Sequence, residues 1–424
     1  MEEGEIMIGD YKEVLPLDNQ KYDNVKLEEC EAFKIPGKSL FHYTSREVFW
    51  KIVEDETFLA RHILFSNDSE EYELGKEKID KILKQIGSTA DIEEPEKNER
   101  YMICFCEEKD LLSQWRGYAQ NGIAMEFDFS LGRYGLTNAD GTKTQFSSYH
   151  CFTLVNNEAA MKKKVYDKDD SAEYNVEEYE KRYVSRTDKK SEKLVTLCIA
   201  APYKVFYVEK NESEDNDFDK MLQSLQSMDN TVPNLIKLIP YIKNEKFGEE
   251  MEYRLVFDLW GLIGDKREWI RGEKNIYLDV DGVKKPNIRV EFGNALERLK
   301  EKTIRLYYSN NMYKDALEKF VASEKMDIEL VMVSDPALKE NEILLGNGQK
   351  QEMVMRVLSA FIQSQKDIFV NTKIWCDGHL PMRRIMVGPS KDAELMKKSI
   401  IQYKHNKYWM KYIDVVISDI PFRN

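Results

Sequence analysis

The stretch Ser-Leu-Phe-His-Tyr-Thr-Ser at residues 39–45 opens the body of the chain and decides how its fold begins. Its apolar and aromatic residues predict a short strand over residues 40–43. Thr44 or Ser45 is expected to cap the helix that follows, because either hydroxyl accepts a hydrogen bond from a backbone N–H that the first turn leaves free. The helix itself is predicted from apolar residues at helical spacing, namely Val48, Phe49, Ile52 and Val53.

Strand and helix patterns alternate along the rest of the chain. Strands are predicted at residues 101–106, 122–127, 203–208, 252–259, 328–333, 384–387 and 415–418. Helices are predicted after a cap at Ser69 and at residues 110–118, 158–198, 217–243, 311–323, 349–365 and 392–404. This mixture predicts an α+β fold, with a mixed sheet as the core and helices flanking it.

The domain organisation follows from length and from the position of the motifs. A chain of 424 residues suffices for two or three domains or for one elaborated domain. We expect an N-terminal arm at residues 1–38 and a core domain at residues 39–271. A large helical or mixed insertion is expected at residues 272–380, and residues 381–424 are expected to return to the core.

Composition and charge exclude several classes of protein. A hydrophobic fraction of 42% supports a packed core and argues against a disordered chain. No apolar run is long enough for a membrane helix, and the acidic residues 1–5 do not resemble a secretion signal. We therefore expect a cytoplasmic protein without membrane contact. The net charge of −13 does not favour general nucleic-acid binding.

The chain lacks the common catalytic and metal-binding motifs. It has no P-loop, no dinucleotide-binding glycine motif, no H-E-x-x-H zinc motif and no G-x-S-x-G nucleophile motif. The five histidines are spread along the sequence and the six cysteines form no C-x-x-C pair, so no metal is expected. Candidate chemistry is therefore limited to polar residues where predicted strands meet loops.

Two such segments combine polar and aromatic side chains. His42 lies between aromatic residues and can bind a ligand hydroxyl, or it can fill a polar position in the core. Trp115 and Tyr118 lie three residues apart and can stack on a flat ring. Arg116 can pair with a phosphate or a carboxylate. The alternative for this segment is a core tryptophan beside an arginine that pairs with a nearby acid.

A third segment, Glu-Met-Glu-Tyr-Arg at residues 250–254, is rich in charge. In a strand, Glu250, Glu252 and Arg254 share one face, because side chains alternate between the two faces. A carboxylate in this position can lie beside a cleft and bind a sugar hydroxyl. The alternative is a surface ion pair between Glu252 and Arg254.

Taken together and in order, these segments resemble a bacterial family known as domain of unknown function 2971. The similar stretches are residues 40–45, 65–70, 105–106, 112–119, 122–127, 250–254, 385–389 and 418–423. The resemblance runs from about residue 39 to the end and is interrupted over roughly residues 272–380. This family implies no settled activity.

A second resemblance, to the ADP-ribosyltransferase superfamily, implies a function. The segment His42-Tyr43-Thr44, an aromatic middle segment and Glu252 at the start of a later strand are similar to the His–Tyr–Glu arrangement of those enzymes. The resemblance implies that His42 binds a ribose hydroxyl of NAD and that Glu252 stabilises the oxocarbenium-like transition state. It implies that Tyr118 or Trp115 stacks on nicotinamide. The expected catalytic residues are His42 and Glu252, and the expected NAD-binding residues are Tyr43, Thr44, Trp115, Arg116, Tyr118 and Arg254.

Two functions from different classes remain open. The first is an NAD-dependent ADP-ribosyltransferase-like effector, a toxin or an anti-phage defence protein, with NAD as substrate and a nucleic acid or protein as target. The second is a non-catalytic sensor that recognises a nucleotide, a nucleic acid or a phage protein. An oligomer is compatible with either function. A third interpretation is purely structural, with His42, Trp115 and Arg254 fully buried and paired with one another.

The last expectation concerns Asn67 and Asp68, which precede a predicted helix. A helix N-terminus attracts phosphate, but Asp68, Glu70 and Glu71 place three carboxylates there. We therefore predict that this corner holds the cleft wall, by satisfying backbone groups or by binding Arg116 or Arg254, and does not bind phosphate.

Overall fold

The computed structural model describes most of the chain from residue 39 onward. The described residues are 39–66, 70–89, 92, 100–120, 122–128, 202–209, 235–236, 238–258, 282–292, 304–324, 327–332, 338–346, 351–376 and 382–421. Strand backbone is also described at residues 6–8, 11–13, 133–137, 143–147, 151–157, 184–188, 193–199 and 275–280.

The helices and strands are numbered in chain order. The α-helices are α1 (Arg46–Asp55), α2 (Glu71–Gln85), α3 (Leu112–Gln114), α4 (Lys314–Ser323), α5 (Gln351–Ser364) and α6 (Ala393–Lys404), and a π-helical turn (Trp115–Ala119) follows α3. The first strands are β1 (Ile6–Ile8), β2 (Tyr11–Glu13), β3 (Leu40–Thr44), β4 (Thr57–His62), β5 (Arg100–Cys106), β6 (Ile123–Phe127), β7 (Arg133–Thr137), β8 (Lys143–Ser147), β9 (Cys151–Asn157), β10 (Val184–Asp188) and β11 (Lys193–Ile199). The remaining strands are β12 (Pro202–Lys204), β13 (Phe206–Val208), β14 (Ile242–Asn244), β15 (Glu252–Asp258), β16 (Asn275–Val280), β17 (Val283–Phe292), β18 (Ile304–Tyr308), β19 (Ile328–Met332), β20 (Glu342–Gly346), β21 (Lys373–Cys376), β22 (Met382–Val387) and β23 (Asp414–Ile417).

A 13-stranded mixed sheet forms the centre of the molecule. Its main path is β10-β11-β9-β17-β4-β5-β3-β6-β22-β23, with β15 attached to β5, β12 to β15 and β16 to β17. The pair β22–β23 is parallel, and pairs such as β3–β6 and β5–β15 are antiparallel. Helices α1 and α6 contribute Phe49 and Ile400 to the core on this sheet. The predicted α+β fold, with a mixed sheet and flanking helices, is confirmed.

A second sheet, of order β19-β18-β20-β21, has its own core. In this core, Leu317 of α4 and Leu358 of α5 pack with two strand residues, Leu306 of β18 and Leu345 of β20. Arg383 at the start of β22 connects the two sheets, because it pairs with Asp128 after β6 and with Glu342 of β20. The cation also lies 5.4 Å from the ring centroid of Trp375.

The boundary of the predicted insertion at residues 272–380 needs correction. Strands β16 and β17 fall inside that range, yet β17 pairs with β4 and β9 of the central sheet. The second sheet therefore begins at β18 and, among the described residues, extends to β21. Its residues Tyr307, Leu344 and Trp375 pack into the core of the central sheet. The backbone hydrogen bonds that place β17 connect residues far apart in sequence, so the local pattern did not reveal them.

One predicted helix is wrong where the structure describes its residues, and another ends earlier than predicted. Within residues 158–198, the backbone forms strands β10 and β11. The sequence Lys-Leu-Val-Thr-Leu-Cys-Ile of β11 is rich in residues that favour strands, and this preference outweighs the charge pattern. The helix predicted over residues 217–243 is present at residues 235–236 and 238, but it ends before residue 243, because a 3-10 turn at Ile239–Tyr241 and β14 follow. Pro240 lacks a backbone N–H and so cannot continue an α-helix.

The start of α1 is confirmed, whereas the predicted cap of α2 is not. The Ser45 hydroxyl accepts a hydrogen bond from the Val48 backbone N–H at 3.3 Å. The N-cap residue of α2 is Glu70, whose side chain makes no capping hydrogen bond. Asn67, Asp68 and Ser69 lie outside the described residues, so the predictions for them stay predictions.

Two searches of the described residues gave no result. Among the helices described, none combines the length and the apolar character that a membrane span requires. In the same part of the chain, no group of three or more His, Cys, Asp or Glu side chains is arranged to hold a metal ion.

Candidate functional site

A cavity of about 430 Å³ lies where the central sheet meets α1. Strands β3, β4, β5, β15 and β17 contribute to its walls, and α1 covers one side. The sheet brings these elements together although they span residues 41–289. Its size falls within the range of pockets that hold small molecules.

His42 of β3 lines this cavity in its neutral form. Nδ1 lies 2.9 Å from the Cys104 carbonyl oxygen, which can only accept, so Nδ1 carries the proton and Nε2 is left as an acceptor. The ring meets Phe58 and Phe105 edge-on, at centroid distances of 5.1 and 5.8 Å. Burial lowers the pKa of His42, against the opposing effect of the hydrogen bond to Cys104. The side chain therefore offers a neutral acceptor at pH 7.

Glu252 and Arg254 of β15 form a buried ion pair on another wall of the cavity. Arg254 donates from Nε to Glu252 Oε1 at 2.8 Å and from Nη2 to Glu252 Oε2 at 2.9 Å. Its Nη1 donates to the Pro240 carbonyl at 2.6 Å and contacts Glu71 Oε1. Arg254 is only 1% exposed. The strand places both residues on one face, as predicted, but in the interior and not on the surface.

Lys243 of β14 extends this pair into a larger cluster. Its Nζ lies 2.5 Å from Glu250 Oε2 and 3.0 Å from Glu252 Oε2. It also lies 3.8 Å from Glu71. Glu71, Lys243, Glu250, Glu252 and Arg254, here called the charge network, all line the cavity. With every member ionised, the charge network carries a net charge of −1.

Burial and pairing move the pKa values of the two innermost carboxyl groups in opposite directions. Burial raises the pKa of Glu71, and the charge of Arg254 only partly opposes it. Burial acts on Glu252 too, but the charge and hydrogen bonds of Arg254 outweigh it and lower the pKa of Glu252 to about 2. Glu252 is therefore a permanent anion. Two acids with separated pKa values beside a cavity are typical of functional sites, although structural ion networks show the same pattern.

Tyr118 lies at the edge of the cavity, at the end of the π-helical turn. It is 36% exposed, and its hydroxyl donates to Glu250 Oε1 at 2.6 Å. Its ring is thus held beside the charge network while one side stays accessible. Of the two aromatic residues predicted to stack on a ligand, Tyr118 lines the cavity.

Trp115, the other predicted stacking residue, lies outside the cavity lining and is 1% exposed. Its Nε1 donates to Asp110 Oδ1 at 2.7 Å. The Asp110 carboxylate also accepts from the Ser418 hydroxyl at 2.5 Å and from the Asp419 backbone N–H at 2.7 Å. Asp110, Trp115, Ser418 and Asp419 are here called the Asp110 anchor. The core alternative for Trp115 therefore describes its position.

Close packing against Trp115 and Thr44 explains two glycine positions. A Cβ atom on Gly388 would lie 2.9 Å from the Trp115 ring, and one on Gly122 would lie 2.2 Å from the Thr44 carbonyl oxygen. Both glycines are thus required for close packing.

Arg116, which was predicted to bind NAD, is exposed and does not line the cavity.

Tyr43 and Thr44 line the cavity, as the NAD-binding prediction requires. The Tyr43 hydroxyl is already engaged, since it donates to the Glu108 carbonyl at 3.0 Å and accepts from the Leu111 N–H at 3.1 Å. Its ring meets Trp115 edge-on at 4.9 Å. Tyr43 therefore connects the cavity wall with the Asp110 anchor.

The structure thus brings together His42, Tyr43, Thr44, Tyr118, Glu252 and Arg254, and it places Trp115 and Arg116 elsewhere. The structural interpretation required His42, Trp115 and Arg254 to be paired with one another, and no such pairing occurs among these three described side chains. Sequence reasoning missed Lys243, Arg61 and Arg289, which also line the cavity. It named Glu71 only as one of three acids near a helix start, and the structure pairs Glu71 with Arg254, one of the two arginines predicted to bind at that corner. Arg61 carried a usable signal, because it is a charged residue inside the apolar segment of β4.

Comparison with known proteins gives one family match. Residues 114–255 match the model of a family described as "Protein of unknown function (DUF2971)". The match covers the π-helical turn, Lys243 and the first half of β15, but not His42. No curated protein and no solved structure matches the chain, so neither comparison supports a resemblance to ADP-ribosyltransferases.

Proposed function

We propose that this protein is an ADP-ribosyltransferase-like enzyme that binds NAD in the cavity and transfers ADP-ribose to a nucleic acid or a protein. The observation that supports the proposal is that His42, Tyr118 and Glu252 line one cavity of about 430 Å³. These are the three side-chain types that the chemistry needs, and they come from three separate elements of the fold. As an effector of this kind, the protein would act as a toxin or in anti-phage defence.

Each of the three side chains has a suitable chemical state for its role. Neutral His42 presents Nε2 as an acceptor for a ribose hydroxyl, because Nδ1 donates to Cys104. The accessible ring of Tyr118 provides a surface for nicotinamide stacking. Glu252 stays ionised, since its pKa is about 2, and its charge stabilises the positive charge that develops on the ribose as nicotinamide leaves.

A non-catalytic nucleotide sensor is the second candidate, and a specific observation favours it. Both carboxylate oxygens of Glu252 accept hydrogen bonds, from Arg254 and from Lys243. A carboxylate held by two cations stabilises a developing positive charge less than a free one does. In a sensor, the charge network would serve only to shape the cavity and to report that it is occupied.

Two measurements on the full chain separate these candidates. The first is binding of NAD by calorimetry, and the second is release of nicotinamide from NAD. The enzyme is expected to bind NAD and to release nicotinamide, and Glu252→Gln is expected to abolish release while NAD still binds. The matched control is Glu329→Gln, since Glu329 is an exposed strand residue that pairs with Arg305 in the second sheet and does not line the cavity.

The outcomes are distinct. NAD binding without any nicotinamide release, in wild type and variant alike, would favour the sensor. Release that is unchanged in Glu252→Gln would remove Glu252 from the mechanism. A thermal unfolding curve for each variant confirms that a lost activity does not reflect a lost fold.

A further inference from the structure

We infer that Arg61 and Arg289 form a phosphate-binding subsite in this cavity, so that the ligand carries a phosphate or pyrophosphate group. The inference deepens the proposed function and rests on it for the nucleotide nature of the ligand. It concerns residues that none of the sequence motifs includes and that lie outside residues 114–255 of the family match.

The two arginines lie on neighbouring strands and on one face of the sheet. In the antiparallel pair β4–β17, Arg61 is opposite Asn287 and Leu59 is opposite Arg289. Arg61 and Arg289 are thus diagonal neighbours, a relation that places residues about 7–8 Å apart. Both line the cavity. Two long side chains at this separation can donate to the same phosphate or to the two phosphates of a pyrophosphate.

Neither guanidinium group is neutralised within the described part of the chain. No side-chain hydrogen bond or ion pair joins the guanidinium group of Arg61 or Arg289 to any residue that the structure describes, and Arg289 Nε is buried without a hydrogen-bond partner. Asp55 of α1 lines the same cavity but forms no ion pair within 4.0 Å among those residues. Lys51, also on α1, pairs with Glu47. Two adjacent cations, one with a buried free donor, are unfavourable unless an anion binds between them.

The distribution of charge around the cavity also predicts the orientation of a bound ligand. Strand β15 lies on the other side of β5 from β4 and β17, and it contributes Glu252 and Arg254 to the charge network, where three carboxylates meet two cations. A ligand with an anionic end and a hydroxyl-bearing or cationic end fits this polarity. NAD has both, because its pyrophosphate is anionic and its nicotinamide ring is cationic. The phosphate would lie at Arg61 and Arg289, and the nicotinamide ribose would lie near His42 and Glu252.

The experiment measures binding of four probes by calorimetry: ADP-ribose, ADP, inorganic pyrophosphate and adenosine. Wild-type protein is compared with Arg61→Gln, Arg289→Gln and the double variant. Arg289→Lys keeps the charge without the planar donors. Arg305→Gln is the matched control, since Arg305 is a half-buried strand arginine that pairs with Glu329 in the second sheet. Thermal unfolding checks the fold of each variant.

We expect ADP-ribose and ADP to bind more tightly than adenosine, and more weakly as salt is added. Each single Arg→Gln change should weaken ADP-ribose binding by about 10- to 100-fold, as loss of charge-assisted hydrogen bonds does. Adenosine binding should stay unchanged. Arg289→Lys should recover part of the affinity, and Arg305→Gln should behave as wild type.

Three results would overturn the inference: no phosphate-bearing probe binds, the probes bind no better than adenosine, or the two arginine variants bind ADP-ribose as wild type does. The same experiments distinguish failure of the proposed function from failure of the phosphate subsite. If ADP-ribose binding depends on the arginines but NAD is never cleaved, the subsite stands and the enzyme does not. If NAD is cleaved with the same KM in both arginine variants, the enzyme stands and the subsite does not.

Discussion

The charge network and the Asp110 anchor are two polar clusters that hold distant parts of the chain together in different ways. The Asp110 anchor connects residues 308 positions apart through one carboxylate, and its aromatic residue, Trp115, is buried and does not line the cavity. The charge network connects α2, β14 and β15 through five charged groups, and all five line the cavity. Both clusters serve the fold, but only the charge network is placed where a ligand can reach it. The comparison teaches that a buried polar motif becomes a candidate site only when a cavity adjoins it.

The largest expected effect concerns the centre of the charge network. Arg254→Leu should destabilise the protein by about 3–5 kcal/mol, because it leaves Glu71 and Glu252 buried without their main cation. Urea unfolding measures the change in the free energy of unfolding. The control is Arg305→Leu, which removes an exposed pair and should cost less than about 1 kcal/mol. An equal effect of the two changes would show that the charge network contributes no more than a surface pair.

A smaller effect is expected at the Asp110 anchor. Trp115→Phe should cost about 1–3 kcal/mol, since it keeps most of the packing but removes the 2.7 Å hydrogen bond to Asp110. Binding of ADP-ribose should not change, because Trp115 lies outside the cavity lining. If Trp115→Phe weakened ADP-ribose binding with little loss of stability, the Asp110 anchor would also contribute to ligand binding, which would contradict the distinction between the two clusters.

The pH dependence of stability tests the state of His42. Its pKa is lowered in the folded protein, so the unfolded chain binds the proton more tightly, and stability falls as the pH drops below the unfolded value of about 6.5. Between about pH 6.5 and the folded pKa, this residue contributes a slope of up to about 1.4 kcal/mol per pH unit. His42→Asn should remove that contribution, as measured by urea unfolding at several pH values. Parallel pH profiles for the two proteins would contradict the assignment of a neutral histidine.

The smallest effect on stability is expected at the edge of the cavity. Tyr118→Phe removes a partly exposed hydrogen bond to Glu250 and should change the free energy of unfolding by about 1 kcal/mol or less. Because the ring is retained, NAD binding should stay close to that of wild type, whereas Tyr118→Ala should weaken it. Equal NAD binding in Tyr118→Phe and Tyr118→Ala would exclude a stacking role for this ring.

Local patterns in the sequence predicted much of the fold. The strand β3, the Ser45 cap and the apolar face of α1 follow from neighbouring residues, and all three are present. Val48 was the exception on that face, since it is 42% exposed and lines the cavity. Strand β17 was missed because its partners in β4 and β9 lie far away in the chain. Strands β10 and β11 pair with each other and are close in sequence, and they were missed because their charge pattern was interpreted as a helix.

The candidate site was predictable to the extent that its residues share a motif. Glu252 and Arg254 lie two apart in one strand, so their common face could be read directly. Lys243, Glu71 and Arg289 come from other elements, and no spacing rule relates them to Glu252. Their convergence depends on the order of strands in the sheet, which a single sequence does not specify.

The position of β22 in the central sheet has a consequence for the order of folding. β22 pairs with β6, and the partners Met386 and Ala124 are about 260 residues apart. At a synthesis rate of about 5–20 residues per second, β6 leaves the ribosome roughly 13–50 s before its neighbour does. During that interval β6 has an unpaired edge of the kind that recruits other strands. The nascent protein is thus prone to aggregation during this stage. We expect chaperones to bind β6 until residues 382–419 have been synthesised.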